Sequence, residues 1–287
     1  MALALDGSEK GVVLDGNIID NLRFADDIAA TAESVVDLQE IVNRINGTSK
    51  RMGMAINEAK TETQHLGRDT KEVDISLDNG SLKQSEDFVY LGGNMSQRGG
   101  TAKDIERRIG LARGVVQQLN RVWTTKDIST HTKLNVYEVL VLSVLMYNSE
   151  TWVLREEDKR RVRVFEMACL RKILGVTKMD RLHNTSIRER VGYQEDIVLK
   201  IQRRRLRYFG HISRMEMSRY PYMALHGRVH GTRGKGRPRK RWSDMISQDC
   251  LNAEMTLEMV HRKANDRQGW RNFVNGMPTH SQLLQRQ

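Results

Sequence analysis

The chain has 287 residues, of which 39% are hydrophobic, with three prolines, two cysteines and a formal net charge of +11. Cys169 and Cys250 cannot build a disulfide framework, and no Cys-x-x-Cys pair stands near a histidine, which argues against a secreted scaffold and a zinc knuckle. The longest apolar run, Val139 to Tyr147, is far shorter than the roughly 20 residues that cross a bilayer, and no charged-then-apolar leader opens the chain. We therefore expect an intracellular protein with no membrane partner.

The charge is distributed unevenly along the chain. Residues 1–100 hold 10 Lys/Arg and 17 Asp/Glu, a net charge of −7, whereas residues 101–287 hold 37 and 19, a net charge of +18. An acidic region joined to a strongly basic one suits a protein that holds a polyanion with one region and processes it with the other. A basic surface that is merely solvated is the alternative.

Short strands are predicted for residues 11–32, and they contain two adjacent carboxylates, Asp26 and Asp27, inside an apolar run. The flanking residues favour two strands joined by a tight hairpin with the acidic pair at its tip. A cation would offset the repulsion between the two charges, and hard oxygen ligands favour Mg²⁺ or Ca²⁺. An ordinary aspartate-rich turn is the alternative, because aspartate is common in turns.

A helix followed by short strands is predicted next. Ser34 with Asp37 resembles a capping box, and apolar residues at helical spacing follow until Gly53. Short strands at about 54–56, 61–66, 72–77 and 86–91, with Asp78-Asn79-Gly80 as a hairpin signal, complete a small sheet.

From residue 101 onward the pattern is helical. The predicted helices begin at Thr101, capped with Asp104, and at Ser129, and further ones cover Arg155–Leu174, Glu195–Met215, Trp242–Leu251, Thr256–Asn265 and Asp266–Asn275. A Gly/Arg-rich linker occupies 227–241. The predicted fold class is therefore α+β, with a small antiparallel sheet and one or two helices followed by a mostly helical region.

Basic residues cluster on two of these helices and in the linker. Outward-facing arginines on a helix can neutralise phosphates, and nearby aromatic rings either stack on unpaired bases or belong to the core. The linker segment Gly234–Lys240 resembles an AT-hook, which enters the narrow minor groove of A/T-rich DNA, although a nuclear-import cluster or a solvated linker would have the same composition. The residues predicted to contact nucleic acid are Arg160, Arg161, Arg203, Arg204, Arg205, Arg237, Arg239 and Lys240.

Several motifs in a fixed order resemble one known family. They are Phe24–Asp27, Gly53–Asn57 with Lys60-Thr61, Phe88–Gly92, Leu140–Tyr147, Ser149–Trp152, Arg204–His211 and Gly236–Trp242. The first three resemble the last palm motifs of a reverse transcriptase. The whole series is similar to the C-terminal part of the endonuclease-reverse transcriptases of non-LTR (LINE-type) retrotransposons, and it covers roughly residues 10 to 275.

The resemblance implies an RNA-directed DNA polymerase that uses Mg²⁺ or Mn²⁺ in two-metal nucleotidyl transfer, with the metal ions expected only in a complete active site. Asp26 would be the main metal ligand and Asp27 the supporting one, and Lys60 would lie near the triphosphate as a third catalytic residue. The residues implied to contact primer and template are Phe24, Ala25, Tyr90, Leu91 and Gly92. The partners would be an RNA template, a DNA primer or target, and upstream fingers, palm and endonuclease domains, with action in the nucleus.

The same resemblance implies three regions and one important gap. Residues 1–97 would be a partial palm, 98–180 a thumb-like helical region and 181–287 a basic helical C-terminal region. Only 25 residues precede Asp26, and none matches the carboxylate of an earlier palm strand. We therefore expect no activity from this chain alone. The alternatives are a non-catalytic nucleic-acid-binding remnant or domesticated protein, and a transcribed fragment that never folds stably.

Overall fold

The computed structural model describes residues 10–67, 71–78, 80–227, 239–251, 255 and 257–277. Within these ranges the chain forms two compact units. The first unit contains residues 10–90, 95–99 and 216–227, and the second contains 91–94, 100–215 and 239–277. The division predicted at residues 97 and 180 stays a prediction.

The α+β fold class predicted from the sequence is confirmed, because short strands occupy the N-terminal third and helices the remainder. The strands are β1 (Val12–Leu14), β2 (Asn17–Ile19), β3 (Asn21–Phe24), β4 (Asp27–Ala30), β5 (Glu62–Thr63), β6 (Ser76–Leu77), β7 (Gly80–Ser81), β8 (Lys83–Gln84), β9 (Asp87–Tyr90) and β10 (Gly93–Ser96).

These strands associate in pairs. The β1–β2, β3–β4 and β6–β7 pairs are antiparallel, β9 pairs with β10, and β5 runs parallel to β8. The predicted hairpin signal Asp78-Asn79-Gly80 follows β6 and includes the first residue of β7, and Asn79 itself lies outside the described residues. Residues 54–56 are not in a strand. Instead Ile56 packs against the small cores beneath the first helix, so its burial, not strand pairing, explains the apolar residue there.

The helices are α1 (Val35–Arg51), α2 (Ala102–Gln118), α3 (Asn120–Thr124), α4 (Thr130–Val136), α5 (Ser143–Leu145), α6 (Glu156–Leu174), α7 (Asn184–Val191), α8 (Ile197–Ser213), α9 (Tyr220–His226), α10 (Trp242–Leu251), α11 (Leu257–Asn265) and α12 (Arg267–Asn275). A π-helical segment, Tyr137–Leu142, joins α4 to α5. Short 3₁₀ turns occur at Glu58–Lys60, Ser149–Thr151 and Lys178–Asp180. None of the helices in the described part of the chain is long and apolar enough to cross a membrane.

Local signals set most of the helix ends. The Ser34 hydroxyl accepts the Asp37 N–H at 3.1 Å, which is the predicted cap of α1, and Gly175 ends α6 at φ +70°. The predicted cap of α2 was wrong, because the Thr101 side chain makes no capping bond. The Asp104 carboxylate is buried and accepts the Trp152 indole N–H at 2.8 Å, so a tertiary contact replaces the local one.

Each unit has its own core. In the first unit, Ile41 and Ile45 of α1 pack on Ile28 and Ala30 of β4, and a second small cluster joins four buried residues of the strand region to the other side of α1, namely Val73, Ile75, Leu77 and Leu82. The second unit has a much larger core, which α2, α6 and α8 share with the π-helical segment. The first unit therefore presents short hairpins on a thin core, and the second presents long helices on a thick one.

Candidate active site and nucleic-acid interface

The acidic pair lies at the tip of a tight β-hairpin, as predicted. In the β3–β4 register Phe24 faces Asp27, so Ala25 and Asp26 form a two-residue turn. Asp26 and Asp27 are both exposed, and Phe24 beside them is 63% exposed. The carboxylates therefore project from a paired ribbon into solvent, where an ion or a ligand can reach them.

The backbone of this turn is strained. Ala25 has φ +52°, in the left-handed region that costs an L-residue roughly 1–2 kcal/mol. The neighbouring β1–β2 turn has positive φ at both of its central residues, Asp15 and Gly16, and these residue types suit such a turn. Strain of this kind persists where the surroundings fix it, and it clusters at functional sites.

Tyr90, a predicted primer contact, lies next to the acidic hairpin. Its hydroxyl donates to the Leu22 carbonyl at 3.3 Å. Burial, with a smaller contribution from the negative charge of Asp27, raises the pKa of Tyr90 above its usual value. The fold therefore brings Tyr90 and the Asp-Asp hairpin together, although they are separated by more than sixty residues in sequence.

The ligand set for a metal is only partly supplied by these residues. Among the described residues, no three His, Cys, Asp or Glu side chains are placed to hold a metal ion. Two adjacent carboxylates fit a hard cation such as Mg²⁺, but they fill only part of its octahedral coordination sphere. Lys60 lies in a 3₁₀ turn, where its backbone N–H donates to Asn57 Oδ1 at 3.2 Å and its side chain is exposed. Its catalytic role stays a prediction.

The predicted primer-contact turn Leu91-Gly92 is held by Arg107, Arg108 and Tyr147, to none of which the sequence assigned an individual role. Leu91 has φ +47° and Gly92 φ +75°. Tyr147 Oη donates to the Leu91 carbonyl at 2.9 Å, and Arg107 and Arg108 both donate to the Gly92 carbonyl. The Arg108 guanidinium also stacks on the Tyr147 ring at 4.2 Å. The arginine pair at the centre of α2 was the available sequence signal.

Two predicted contact residues lie on the exposed side of α6. Arg160 and Arg161 are exposed, and Arg161 pairs with Glu157 one turn earlier at 2.7 Å. Together with Arg113 of α2 they border a groove of about 460 Å³ whose floor includes Phe165. The arrangement suits contact with a polyanion, which stays a prediction.

The arginine run of α8 divides into one buried residue and two residues that line a cleft. Arg203 and Arg204 line a cleft of about 600 Å³. The outward position expected for Arg205 was wrong, because its side chain is fully buried. Its guanidinium donates to Asp249 Oδ2 and to the Trp152 carbonyl, so it has no surface to offer a phosphate.

Only the C-terminal end of the linker motif belongs to the described residues. Arg237 and most of the Gly234–Lys240 segment lie outside the described residues. Arg239 and Lys240 are exposed, and the Lys240 ammonium donates to Gln248 Oε1 of α10 at 3.3 Å. The AT-hook interpretation stays a prediction.

A comparison with curated proteins finds a relative of similar length. It is an uncharacterized transposon-derived protein of Caenorhabditis elegans, 25% identical over 286 residues that cover 93% of this chain and 99% of the relative. No family model matches the chain, and no solved structure matches it. This chain is therefore similar, through nearly its whole length, to a protein named as transposon-derived.

Proposed function

We propose that this chain derives from a transposable element, and that it carries the late palm and thumb of a non-LTR retrotransposon reverse transcriptase. The observation that carries the proposal is the Asp26-Asp27 pair at the tip of a paired β-hairpin, with Asp26 in the turn and Asp27 at the start of β4. The ordered motifs and the near full-length similarity to a transposon-derived protein support the same origin. The substrate would be a DNA primer end paired to an RNA template, at a genomic target in the nucleus.

The proposed chemistry assigns a role to each part of the hairpin region. Asp26 would be the main protein ligand of a divalent cation and Asp27 the supporting one. A pair of Mg²⁺ or Mn²⁺ ions held there would supply Lewis-acid activation of the primer 3′-hydroxyl and charge stabilisation of the departing pyrophosphate. Tyr90 is close enough to Asp27 for that charge to raise its pKa, which suits a residue that positions the primer end beside the metal ligands. Lys60 is assigned to the triphosphate.

The strained turns support a positioning role. Ala25 and Leu91 both have positive φ although neither is glycine, and each lies within a motif assigned to primer or template contact. Clamping by Tyr147, Arg107 and Arg108 fixes the second of these turns. A primer end needs such fixed backbone positions, because misplacement by about 1 Å can cost about a hundredfold in rate.

Primer extension tests the proposal. The assay uses an RNA template, an annealed DNA primer and Mg²⁺ or Mn²⁺, with this chain alone and joined to the fingers and first palm half that the resemblance implies. We expect extension by the joined protein and a loss of roughly 10³-fold in Asp26→Asn, because several kcal/mol of charge stabilisation disappear. Asp15→Asn, in the exposed turn of the β1–β2 hairpin, is the matched control and should leave extension unchanged. Full activity in Asp26→Asn would overturn the metal assignment.

A second candidate function is nucleic-acid binding without catalysis. The exposed Arg160 and Arg161 and the cationic cleft on α8 favour it. In a filter-binding series the logarithm of affinity should fall steeply with the logarithm of salt concentration if phosphates dominate. If this candidate is right, Asp26→Asn binds as the unchanged chain does and no extension occurs in any form of the protein. A flat salt series would remove it.

A further inference from the structure

The cleft on the second unit is concave and its wall is mainly cationic. It encloses about 600 Å³, which is within the range of small-ligand sites. The lining groups that matter for recognition are Lys200, Arg203, Arg204, Arg207, Tyr208 and Glu150.

Two of the four cations form close ion pairs with Glu138 or Glu195. Lys200 Nζ lies 2.9 Å from Glu138 Oε1 and 3.5 Å from Glu195 Oε2. Arg203 also pairs with Glu195, and its second amino group donates to the Met277 carbonyl at 2.8 Å. These two side chains hold the wall of the cleft together, and a ligand would have to break ion pairs to use them.

The other two cations are held less closely. Arg204 Nη2 forms a longer ion pair with Glu150 Oε2, at 3.4 Å, and its side chain is 40% exposed. Arg207 is exposed and donates to a neutral amide, Asn275 Oδ1, at 3.0 Å. Because Arg204 and Arg207 are three residues apart on α8, they lie on the same face of the helix. A phosphate can take hydrogen bonds from both guanidinium groups.

The cleft also contains an acidic acceptor and an aromatic ring. The Glu150 side chain is 27% exposed and lines the cleft, so a ligand N–H can reach its carboxylate when Arg204 turns to the phosphate. Among the described residues no group donates a hydrogen bond to Glu150 Oε2, which leaves its accepting capacity to a ligand. The Trp242 indole N–H fixes the backbone of Glu150 by donating to its carbonyl at 2.8 Å. The half-buried Tyr208 ring lies edge-on to Trp242, with centroids 6.0 Å apart, and lines the same cleft.

We propose that this cleft binds one unpaired, amino-bearing nucleotide of a single strand. Its phosphate lies on Arg204 and Arg207, its exocyclic amine donates to Glu150, and its ring packs on Tyr208. A base in a duplex cannot enter, because its amine is paired and its faces are stacked. The inference deepens the nucleic-acid binding in the proposed function. It does not involve Asp26, Asp27 or a metal.

Fluorescence anisotropy with the full chain, measured in the absence of divalent cations, tests nucleotide binding by the cleft. The probes are labelled oligo(dC), oligo(dA) and oligo(dT) of about 12 nucleotides, near the size that single-strand sites cover, and a duplex of the same length. We expect oligo(dC) or oligo(dA) to bind about tenfold more tightly than oligo(dT). Cytosine and adenine offer an exocyclic amine to the carboxylate, whereas the thymine N3–H lies between two keto oxygens that repel the carboxylate. The duplex should bind more weakly than every single strand.

Three variants separate the phosphate contact from the base contact. Arg207→Gln should weaken all single strands alike and lower the slope of log affinity against log salt by roughly 0.7. Arg190→Gln on α7 removes the same charge from an exposed position outside the cleft and should leave both quantities nearly unchanged. Glu150→Gln should remove the preference over oligo(dT), because an amide can also donate to a keto oxygen.

Each contrary result has a distinct meaning. Equal affinity for duplex and single strand, with Arg207→Gln no weaker than Arg190→Gln, overturns the cleft but leaves general nucleic-acid binding intact. An unchanged base preference in Glu150→Gln overturns the amine contact. If no probe binds at all, the second candidate function fails together with the cleft, while primer extension still decides the first.

Discussion

Arg205 and Asp249 form an ion pair that is closed to solvent. Arg205 Nη2 lies 2.6 Å from Asp249 Oδ2, and the two side chains are 0% and 1% exposed. The same guanidinium donates to the Trp152 carbonyl at 2.9 Å. One cation of a basic run thereby joins α8, α10 and the segment before α6, inside the core of the helical unit.

Removing one partner of this pair should destabilise the fold strongly. Arg205→Met leaves a buried carboxylate without its cation, and we expect the free energy of unfolding to fall by about 3–5 kcal/mol. Urea denaturation followed by circular dichroism measures it. The neighbouring Arg204→Met is the control and should change stability by about 1 kcal/mol or less, since its ion pair is partly exposed. Equal losses in the two variants would contradict the buried-pair account.

Glu166 gives the helical unit a specific pH dependence. Its carboxylate is fully buried and pairs with Arg188. Burial, opposed by Arg188, raises the pKa of Glu166 to about 7. Between its ordinary pKa and about 7 the unfolded chain loses this proton and the folded chain keeps it. Stability is therefore lost as the pH rises through that window, and the cost is complete above it.

Glu166→Gln isolates this effect. The glutamine variant should gain stability relative to the unchanged chain as the pH rises from 5 to 8, by up to about 3 kcal/mol. Urea midpoints measured at several pH values give the difference. A constant difference across that range would show that Glu166 does not titrate there.

Gly210 is required by the close approach of Trp270. A Cβ at Gly210 would lie 2.3 Å from the Trp270 indole ring. Trp270 is held in place because its indole N–H donates to the Leu206 carbonyl at 2.8 Å. Gly210→Ala should therefore cost about 1–3 kcal/mol by overpacking.

The matched helical control is Gly114 of α2, where a Cβ would meet nothing within 4 Å. Gly114→Ala should stabilise the protein by up to about 1 kcal/mol through helix propensity. Thermal denaturation of both variants provides the comparison. A stabilising Gly210→Ala would show that α8 and α12 do not pack this closely.

The turn at Ala25 should relax when it is replaced by glycine. Ala25→Gly removes the steric cost of φ +52° and should slow amide exchange in the β3–β4 ladder. The free energy of opening of the ladder should rise by about 0.5–1 kcal/mol. Ala29→Gly, in the middle of β4, should have the opposite sign because glycine weakens a strand. Faster exchange in both variants would mean that the Ala25 backbone is not strained.

Features set by local signals could be predicted from the sequence. The Ser34 cap of α1, the αL end of α6 at Gly175 and the bounds of α10 all follow from residues within a few positions of the boundary. The Asp-Asp hairpin was predictable for the same reason, since two short apolar strands and a polar turn are adjacent in the chain.

Features set by contacts between residues far apart in the sequence were not predicted, although the residue pattern indicated some of them. Arg205 stands four residues after Ile201 and four before Phe209, both buried, so it occupies the apolar stripe of α8. Asp249 likewise stands four residues after buried Met245 in α10. Opposite charges at core positions of two helices indicated an internal ion pair. The Asp104 contact with Trp152 left no comparable local pattern, and the clamp on Leu91-Gly92 left only the adjacent arginines Arg107 and Arg108.

Paramagnetic broadening by Mn²⁺ tests whether Asp26 and Asp27 supply ligands to a divalent cation. Because two carboxylates fill only part of the coordination sphere, we expect weak but selective binding by the chain alone. In a titration followed by amide NMR, the signals of Ala25 to Ile28 should broaden first. Asp26→Asn should abolish this preference, while the Asp15-Gly16 turn stays sharp in both proteins. If the Asp15-Gly16 turn and other exposed acidic positions such as Asp74 broaden at the same Mn²⁺ concentration as the hairpin, the metal assignment is contradicted.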